Sequence, residues 1–302
     1  MTNDIPNFLY NLLIDQYGEE VTNKIINGYS KKRKTTLRVN TLKTSINYVK
    51  EYLTNLNYTY SEVPWYESAL ILENVTEKEI KDLDIYKNGE IYLQSLSSMI
   101  PAIILNPKED ENILDMAAAP GGKTTQMVAL SNNNAYITAC EKNKIRAERL
   151  KYNIEKQGAT RVSVMIKDSR DLDNFLSFDK ILLDAPCSGS GTLDINDNKL
   201  ETTFTEKLLN RSIKFQTQLL NKAINLLKKG NEMVYSTCSI LKEENELILK
   251  EIMKRHKIEI VPIEKELFPN VPFLNTQIDG TICVSPTDLY EGFFLAKIRK
   301  KL

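Results

Sequence analysis

Apolar positions recur at helical spacing over residues 4–28, where Ile5, Phe8, Leu9, Leu12 and Leu13 share one face and Val21, Ile25 and Ile26 continue it. TTLRVNTL (35–42) has the pattern of a strand. SINYVKEYLTNLN (45–57) has that of a helix, with Ser45 placed to cap it, and ALILENV (69–75) that of a second strand. These elements predict a small α+β domain over residues 1–90, although no Pro/Gly/Ser-rich linker marks its end.

From residue 91 onward strands and helices alternate. ENILDMA (111–117), YITACE (136–141), RVSVMIKD (161–168), DKILLDAP (179–186) and EMVYSTCS (232–239) read as strands. Between them lie helical stretches: KTTQMVAL after a glycine turn, the run 143–158 closed by Gly158, and an amphipathic stretch over 205–230 closed by Gly230. KEENELILKEIMKRH continues as a helix, and GTICVSPT and GFFLAKIRK form a terminal strand pair. Repeated βα units predict an α/β fold with a mostly parallel sheet covered on both faces. Ligands of such sheets bind beyond the carboxyl ends of the strands. Asp115, Glu141, Asp168, Asp184 and Cys238 all fall at those ends.

Composition narrows the chemistry. The chain has 302 residues, with 40 basic and 40 acidic side chains, so net charge does not point to nucleic acid. Local basic runs are more suggestive: Lys31–Lys34, the stretch 142–170 and the C-terminal Lys297, Arg299, Lys300 and Lys301 read singly as ordinary solvated faces, but such patches on a neutral protein can hold a phosphate backbone locally. No apolar run reaches the roughly 20 residues a membrane helix requires. The N-terminus lacks a basic, apolar secretory pattern, so the expected location is the cytoplasm. The four cysteines (140, 187, 238 and 283) form no CxxC, and His256, the single histidine, lies in helical sequence. Neither a zinc site nor a His-dependent triad is expected.

The glycine turn in LDMAAAPGGKTT admits three readings. A dinucleotide fingerprint needs GxGxxG, which is absent. A P-loop finds its GK[ST] in Gly122, Lys123 and Thr124, and a Walker B-like strand in 180–184. However, Ala117 replaces its first glycine, and Pro120 removes a backbone donor from the cradle. An S-adenosylmethionine pocket would use the close backbone approach at Gly121 and Gly122, Glu141 on the ribose hydroxyls and Asp168 on the adenine amino group. The two cysteine loops, DAPCSGSG and YSTCS, then suggest covalent chemistry on a base. A thiolate adding to C6 of cytosine makes C5 nucleophilic, which divides one difficult step into easier ones. The scheme needs a thiolate, an acid near N3 and a base for the last stage; Cys238, Asp184 and Cys187 have suitable identities. Pro186 and the flexible SGSG that follows argue against a core role for Cys187, whereas Cys238 follows an apolar run. Chemistry alone does not say which cysteine attacks. Two other functions compete: a P-loop NTPase, and an RNA-binding protein that keeps the fold without catalysis.

DMAAAPGGKT, DAPCSGSGT and YSTCS together resemble the RsmB/NSUN family of RNA cytosine-5 methyltransferases. GEIYLQSLSSMIPAIIL, SPTDLYEGFFLAKIRK and LRVNTLK also resemble that family, so the likeness runs from about residue 35 to the C-terminus. The resemblance implies a Rossmann-like methyltransferase domain over 91–302 behind an RRM-like, RNA-binding N-terminal domain. It implies S-adenosylmethionine held by Ala117, Ala118, Ala119, Pro120, Gly121, Gly122 and Lys123, with Glu141, Arg146, Asp168 and Asp184. It implies Cys238 as nucleophile and Cys187 as the residue assisting release. The substrate is expected to be rRNA or tRNA, with no metal and no membrane, and the protein to be a monomer. Two departures stand out: Ala117 where the family often has Cys, and Glu291 where an Asp commonly precedes GFF.

Overall fold

The computed structural model describes residues 5–197, 200 and 204–302. Helix α1 (Asn7–Tyr29) is broken at Gly18, whose φ of 75° interrupts the helical backbone and kinks it. The expected single helix is therefore two pieces. Its apolar face does not cover the small sheet. Leu9, Leu13, Ile25 and Ile26 are buried in the core of the large sheet, beside Ile181, Leu220 and Tyr235.

The small sheet is built from β1 (Thr35–Val39), β2 (Tyr60–Glu62), β3 (Ala69–Leu72) and β4 (Ile91–Leu93), in the order β2-β3-β1-β4 with antiparallel pairs. Helix α2 (Ile46–Asn55) starts at Ser45, whose hydroxyl accepts from the Tyr48 amide at 3.2 Å, as the capping pattern predicts. The short helices α3 (Glu77–Asp82) and α4 (Asp84–Lys87) lead into β4. Leu37, Val39, Val49, Leu53, Leu70, Leu72, Ile80 and Ile91 form its core. Because β4 pairs with β1, the hydrogen bonding of this sheet crosses the expected boundary at residue 90. The first strand stops at Val39 instead of Leu42, because the Asn40 side chain turns the chain by donating to Gly89 O and Gln157 O.

Helix α5 (Leu96–Leu105) crosses to the large sheet, which comprises β5 (Asn112–Asp115), β6 (Tyr136–Cys140), β7 (Val162–Met165), β8 (Phe178–Asp184) and β9 (Leu227–Thr237), all parallel, then β10 (Ile258–Val261), β11 (Phe273–Leu274), β12 (Ile282–Val284) and β13 (Phe293–Lys300). The order is β11-β12-β13-β9-β8-β5-β6-β7, with β10 on β13 and β13 antiparallel to β9. Connections leave β5 toward β6 and β8 toward β9, so the switch point lies between β5 and β8, above Asp115 and Asp184. The covering helices include α6 (Gly122–Leu130), α7 (Lys144–Lys156), α8 (Glu206–Leu226) and α9 (Glu246–Arg255).

One element differs in length from its pattern. The helix expected over 205–230 ends at Leu226, and β9 starts at once. Leu227 is buried and pairs with Phe178, which draws it into the sheet. The Lys300 ammonium donates to Ile224 O at 2.7 Å and Leu227 O at 2.8 Å, closing the helix end that a further turn would have satisfied. His256, expected on the solvated face of α9, lies just past its end, half-buried and bonded to Asn221.

Candidate active site

The site begins where β5 turns into α6. Gly121 caps α6 at φ 111°, a conformation that a side chain would strain. A Cβ at Gly122 would stand 3.2 Å from the Tyr92 ring, so the loop and β4 are in close contact. The loop carbonyls are fixed from α7: Arg146 Nη2 donates to Ala119 O and Asn153 Nδ2 to Pro120 O, each at 2.8 Å. Its residues 117–119 offer no side chain larger than a methyl, which leaves backbone facing the cleft.

Strand-end acids surround this loop, each in a different state. Asp115 is fully buried and accepts from Thr124 Oγ1 at 2.7 Å; burial, reinforced by the Asp184 charge, pushes its carboxyl up to about 6. Glu141 is buried too. Its Oε1 accepts from the Asn143 amide at 2.8 Å, while Oε2 lies 3.5 Å from Arg146 and accepts no hydrogen bond among the described residues. Asp168 has both oxygens on Arg170, at 3.0 and 2.7 Å, and these bonds hold it below the usual carboxylate range. Asp184 accepts from Lys123 Nζ at 2.7 Å and from Ser236 Oγ at 2.8 Å.

Lys123 belongs to this acid cluster. Besides Asp184, its ammonium donates to Ser98 Oγ at 2.7 Å and lies over the Phe293 ring. Burial opposes its charge, but the Asp184 carboxylate outweighs it and raises Lys123 above the ordinary lysine value. A P-loop lysine would instead be free to hold phosphate.

The two cysteine loops meet here. Cys187 Sγ lies 2.8 Å from Cys238 Sγ, and both are free thiols. Cys140 and Cys283 are buried in the core, as expected of small apolar residues. The Gly191 amide donates to Cys238 O at 2.9 Å, and the Gly292 amide to Gly191 O at 2.7 Å. The SGSG segment is thus packed, not flexible, with Ser190 fully buried. Helix α1 ties both loops: Tyr29 Oη donates to Ser190 O at 2.5 Å, and Tyr17 Oη to Ile240 O. Glu244 accepts from the Ser188 amide, and Glu291 from Ser95 Oγ. Sequence reasoning did not find Ser98, Ser236, Glu244, Phe293 or the tyrosines of α1. Ser98, Ser236 and Phe293 lie inside the motifs that carry the resemblance, which could have pointed to them, whereas Glu244 and the tyrosines of α1 lie outside and meet the site only through the tertiary fold.

A cleft of about 1150 Å³ opens between the small sheet and the strand ends. It is lined by Asp115, Ala117–Pro120, Gly122, Lys123, Asp184 and Cys238, and by Lys32, Lys34 and Lys78 on the opposite wall. Glu141, Arg146, Asp168 and Cys187 lie outside its lining. Cys238 therefore faces the same space as the glycine turn. Among the described residues no cluster of His, Cys, Asp and Glu has the makings of a metal site, and no helix is long and apolar enough to cross a membrane.

Comparison with known proteins agrees with this architecture. Residues 102–299 match the family model for 16S rRNA methyltransferase RsmB/F, and residues 5–77 that for the ferredoxin-like domain of RsmF/B-like methyltransferases. Ribosomal RNA small subunit methyltransferase F of Aeromonas salmonicida is 34% identical over 275 residues, covering 88% of this chain and 57% of that protein. The same enzyme of Shewanella piezotolerans is 31% identical, over 97% of this chain and 63% of its own length. The chain thus spans less than two thirds of these relatives. A methyltransferase homologue from Pyrococcus horikoshii superposes with a TM-score of 0.83 at 32% identity, covering 96% of this chain and 93% of that one. NSun6 from the same organism, solved with SFG, has the same fold (TM-score 0.88, 24% identity, 99% of both chains). With the family match covering about two thirds of the chain, the cysteine loops and the glycine turn included, the chain belongs to the RsmB/F family of 16S rRNA methyltransferases.

Proposed function

We propose that this chain methylates C5 of a cytosine in structured RNA, through a covalent bond between Cys238 and C6 and with S-adenosylmethionine as donor. Ribosomal RNA is the first choice because the curated relatives carry that activity in their names. One observation carries the reading. Cys238, the Lys123–Asp184 pair and the glycine turn line one cleft, with a second thiol 2.8 Å from the first.

The residues fit the donor. A backbone-lined loop with no bulky side chain suits an adenosyl group, and the partly unsatisfied Glu141 suits ribose hydroxyls. We assign the loop 117–123, Glu141 with Arg146, Asp168 and Asp184 to holding it; Asp168 acts through the lone pairs that Arg170 leaves. When bound, the donor supplies a sulfonium methyl, transferable to carbon as a cation.

The Cys238 thiolate adds to C6 and forms a C–S bond. The electron pair pushed into the ring is neutralised by a proton passed to N3 from the Lys123–Asp184 pair, leaving C5 as an enamine carbon. After C5 is methylated, its proton passes to water in the cleft. The released pair restores the C5–C6 double bond and breaks the C–S bond, and N3 returns its proton to the pair. Cys187 donates a hydrogen bond to the departing Cys238 sulfur. The base role expected of Cys187 is less suited to it. Its hydrogen bond to Cys238, burial and the nearby charges hold that thiol well above the usual cysteine range, so it carries a proton at neutral pH.

The target base must leave its stack or start unpaired, because a ring inside a helix cannot present C6. Lys32, Lys34 and Lys78 are proposed to hold the RNA backbone. We further propose a cytoplasmic monomer whose units divide after β4 instead of at residue 90. Methyl transfer from labelled S-adenosylmethionine into RNA, followed by detection of 5-methylcytosine, tests the reading. Cys238→Ala should abolish turnover and adduct while keeping donor binding, and full activity in that variant would remove Cys238 from the mechanism.

A further inference from the structure

Cys187 and Cys238 stand within hydrogen-bonding distance, so the pair holds one negative charge at most at neutral pH, and the surroundings decide which sulfur bears it. Those surroundings are not symmetric. On the Cys187 side lies Glu244, completely buried, with no ion pair among the described residues. Its carboxylate grips the cysteine loop: Oε1 accepts from the Ser188 amide at 2.7 Å and Oε2 from Ser188 Oγ at 2.5 Å. Gln216 Nε2 bridges Oε1, at 3.1 Å, and Pro186 O, at 3.0 Å. The backbone on both sides of Cys187 is therefore anchored to one acid. Burial raises the Glu244 pKa, and the donors from Ser188, Ser239 and Gln216 oppose that rise by favouring the charged form. On the Cys238 side the facing charge is the Lys123 ammonium, which Asp184 holds in place. Tyr235 packs beneath and donates to Glu244 O, adding no charge.

We propose that Glu244 is a positioning residue that keeps the shared proton on Cys187 and so leaves the anion on Cys238. A buried negative charge beside one thiol and an ammonium beside the other bias a single proton in the same direction. The protonated Cys187 then donates its S–H to the Cys238 thiolate, which stabilises the nucleophile before substrate arrives. This inference rests on the two-thiol reading above, and it explains why two chemically alike side chains would take different roles.

The test needs no RNA. The full chain is treated with iodoacetamide at pH 6 to 10, and the alkylation rates of Cys187 and Cys238 are read separately by peptide mass spectrometry. The wild-type protein should label Cys238 at least about tenfold faster than Cys187, because the thiolate and not the thiol is alkylated. Glu244→Gln, which keeps the shape and removes the charge, should lower that selectivity severalfold. Ser188→Ala removes one of the donors that favour the charged Glu244, so it should lower the selectivity too, but by less than Glu244→Gln. Faster labelling of Cys187 in the wild type, an unchanged ratio in E244Q, or a larger loss in S188A than in E244Q would each overturn the proposal. Should E244Q fail to fold, S188A decides, and an unchanged ratio in it would overturn the proposal. Because no methyl transfer is read, a chain inactive on every RNA could still pass; the methylation assay fails separately.

Discussion

Gly191 and Gly292 pack backbone to backbone, and a Cβ on Gly191 would fall 1.9 Å from Gly292 O. That contact locks the loop after Cys187 against the segment before β13, and Gly191 also donates to Cys238 O. Gly191→Ala should destabilise the fold by about 3 kcal/mol, because backbone cannot yield as a flexible side chain does. Urea unfolding of the two proteins measures the difference. A loss below about 1 kcal/mol would show that the loops part easily.

The two thiols should be separable by what accumulates. On the proposed mechanism, the C–S bond should still form at Cys238 in Cys187→Ala, but the leaving sulfur would lose its hydrogen-bond donor. Release should slow more than attack, so a protein–RNA adduct should persist on a denaturing gel while the product yield falls. The double variant with Cys238→Ala should show no such band. Normal turnover in Cys187→Ala would end its release role.

Much of this site was legible in the chain because the relevant groups sit at strand ends, where apolar runs stop. Asp115, Glu141, Asp184 and Cys238 could be placed from the alternation of strands and helices alone. What lay hidden was tertiary. The burial of α1 in the large core, and the bonds of its Tyr17 and Tyr29 to the cysteine loops, leave no trace in local spacing. The helix–strand boundary at Leu226–Leu227 was lost for the same reason. Lys300, far along the chain, closes that helix, and the pairing of Leu227 with Phe178 overrides its helical pattern. SGSG misled because glycine signals flexibility in isolation and close packing in this fold.

Asp115 gives the fold a pH signature of its own. Its folded-state pKa of about 6 lies above the ordinary 3.8, because burial disfavours the charge. A group whose pKa rises on folding contributes stability that is full below about pH 4 and fades as pH climbs through about 6. Over that window the wild type should lose about 3 kcal/mol relative to Asp115→Asn, which cannot ionise. Urea unfolding of both proteins at intervals from pH 4 to 7 reads the difference. Parallel stability curves would mean that Asp115 is ionised as readily in the fold as outside it.

The basic wall of the cleft can be tested through salt. Lys32 and Lys78 are exposed, line the cleft opposite the glycine turn, and show no ion pair among the described residues. If each neutralises one phosphate, the slope of log affinity against log salt should shrink by about 0.7 to 0.9 per lysine removed. The double alanine variant should therefore lose between one and two units of slope, and weaken binding to all RNA sequences alike. Lys207, exposed on α8 and outside the cleft lining, is the control, and its alanine variant should keep the wild-type slope. Filter binding of a labelled stem-loop between 50 and 300 mM salt, on the order of the range over which phosphate contacts titrate, makes the measurement. Equal slopes in the double variant and the wild type would mean that Lys32 and Lys78 do not hold phosphate.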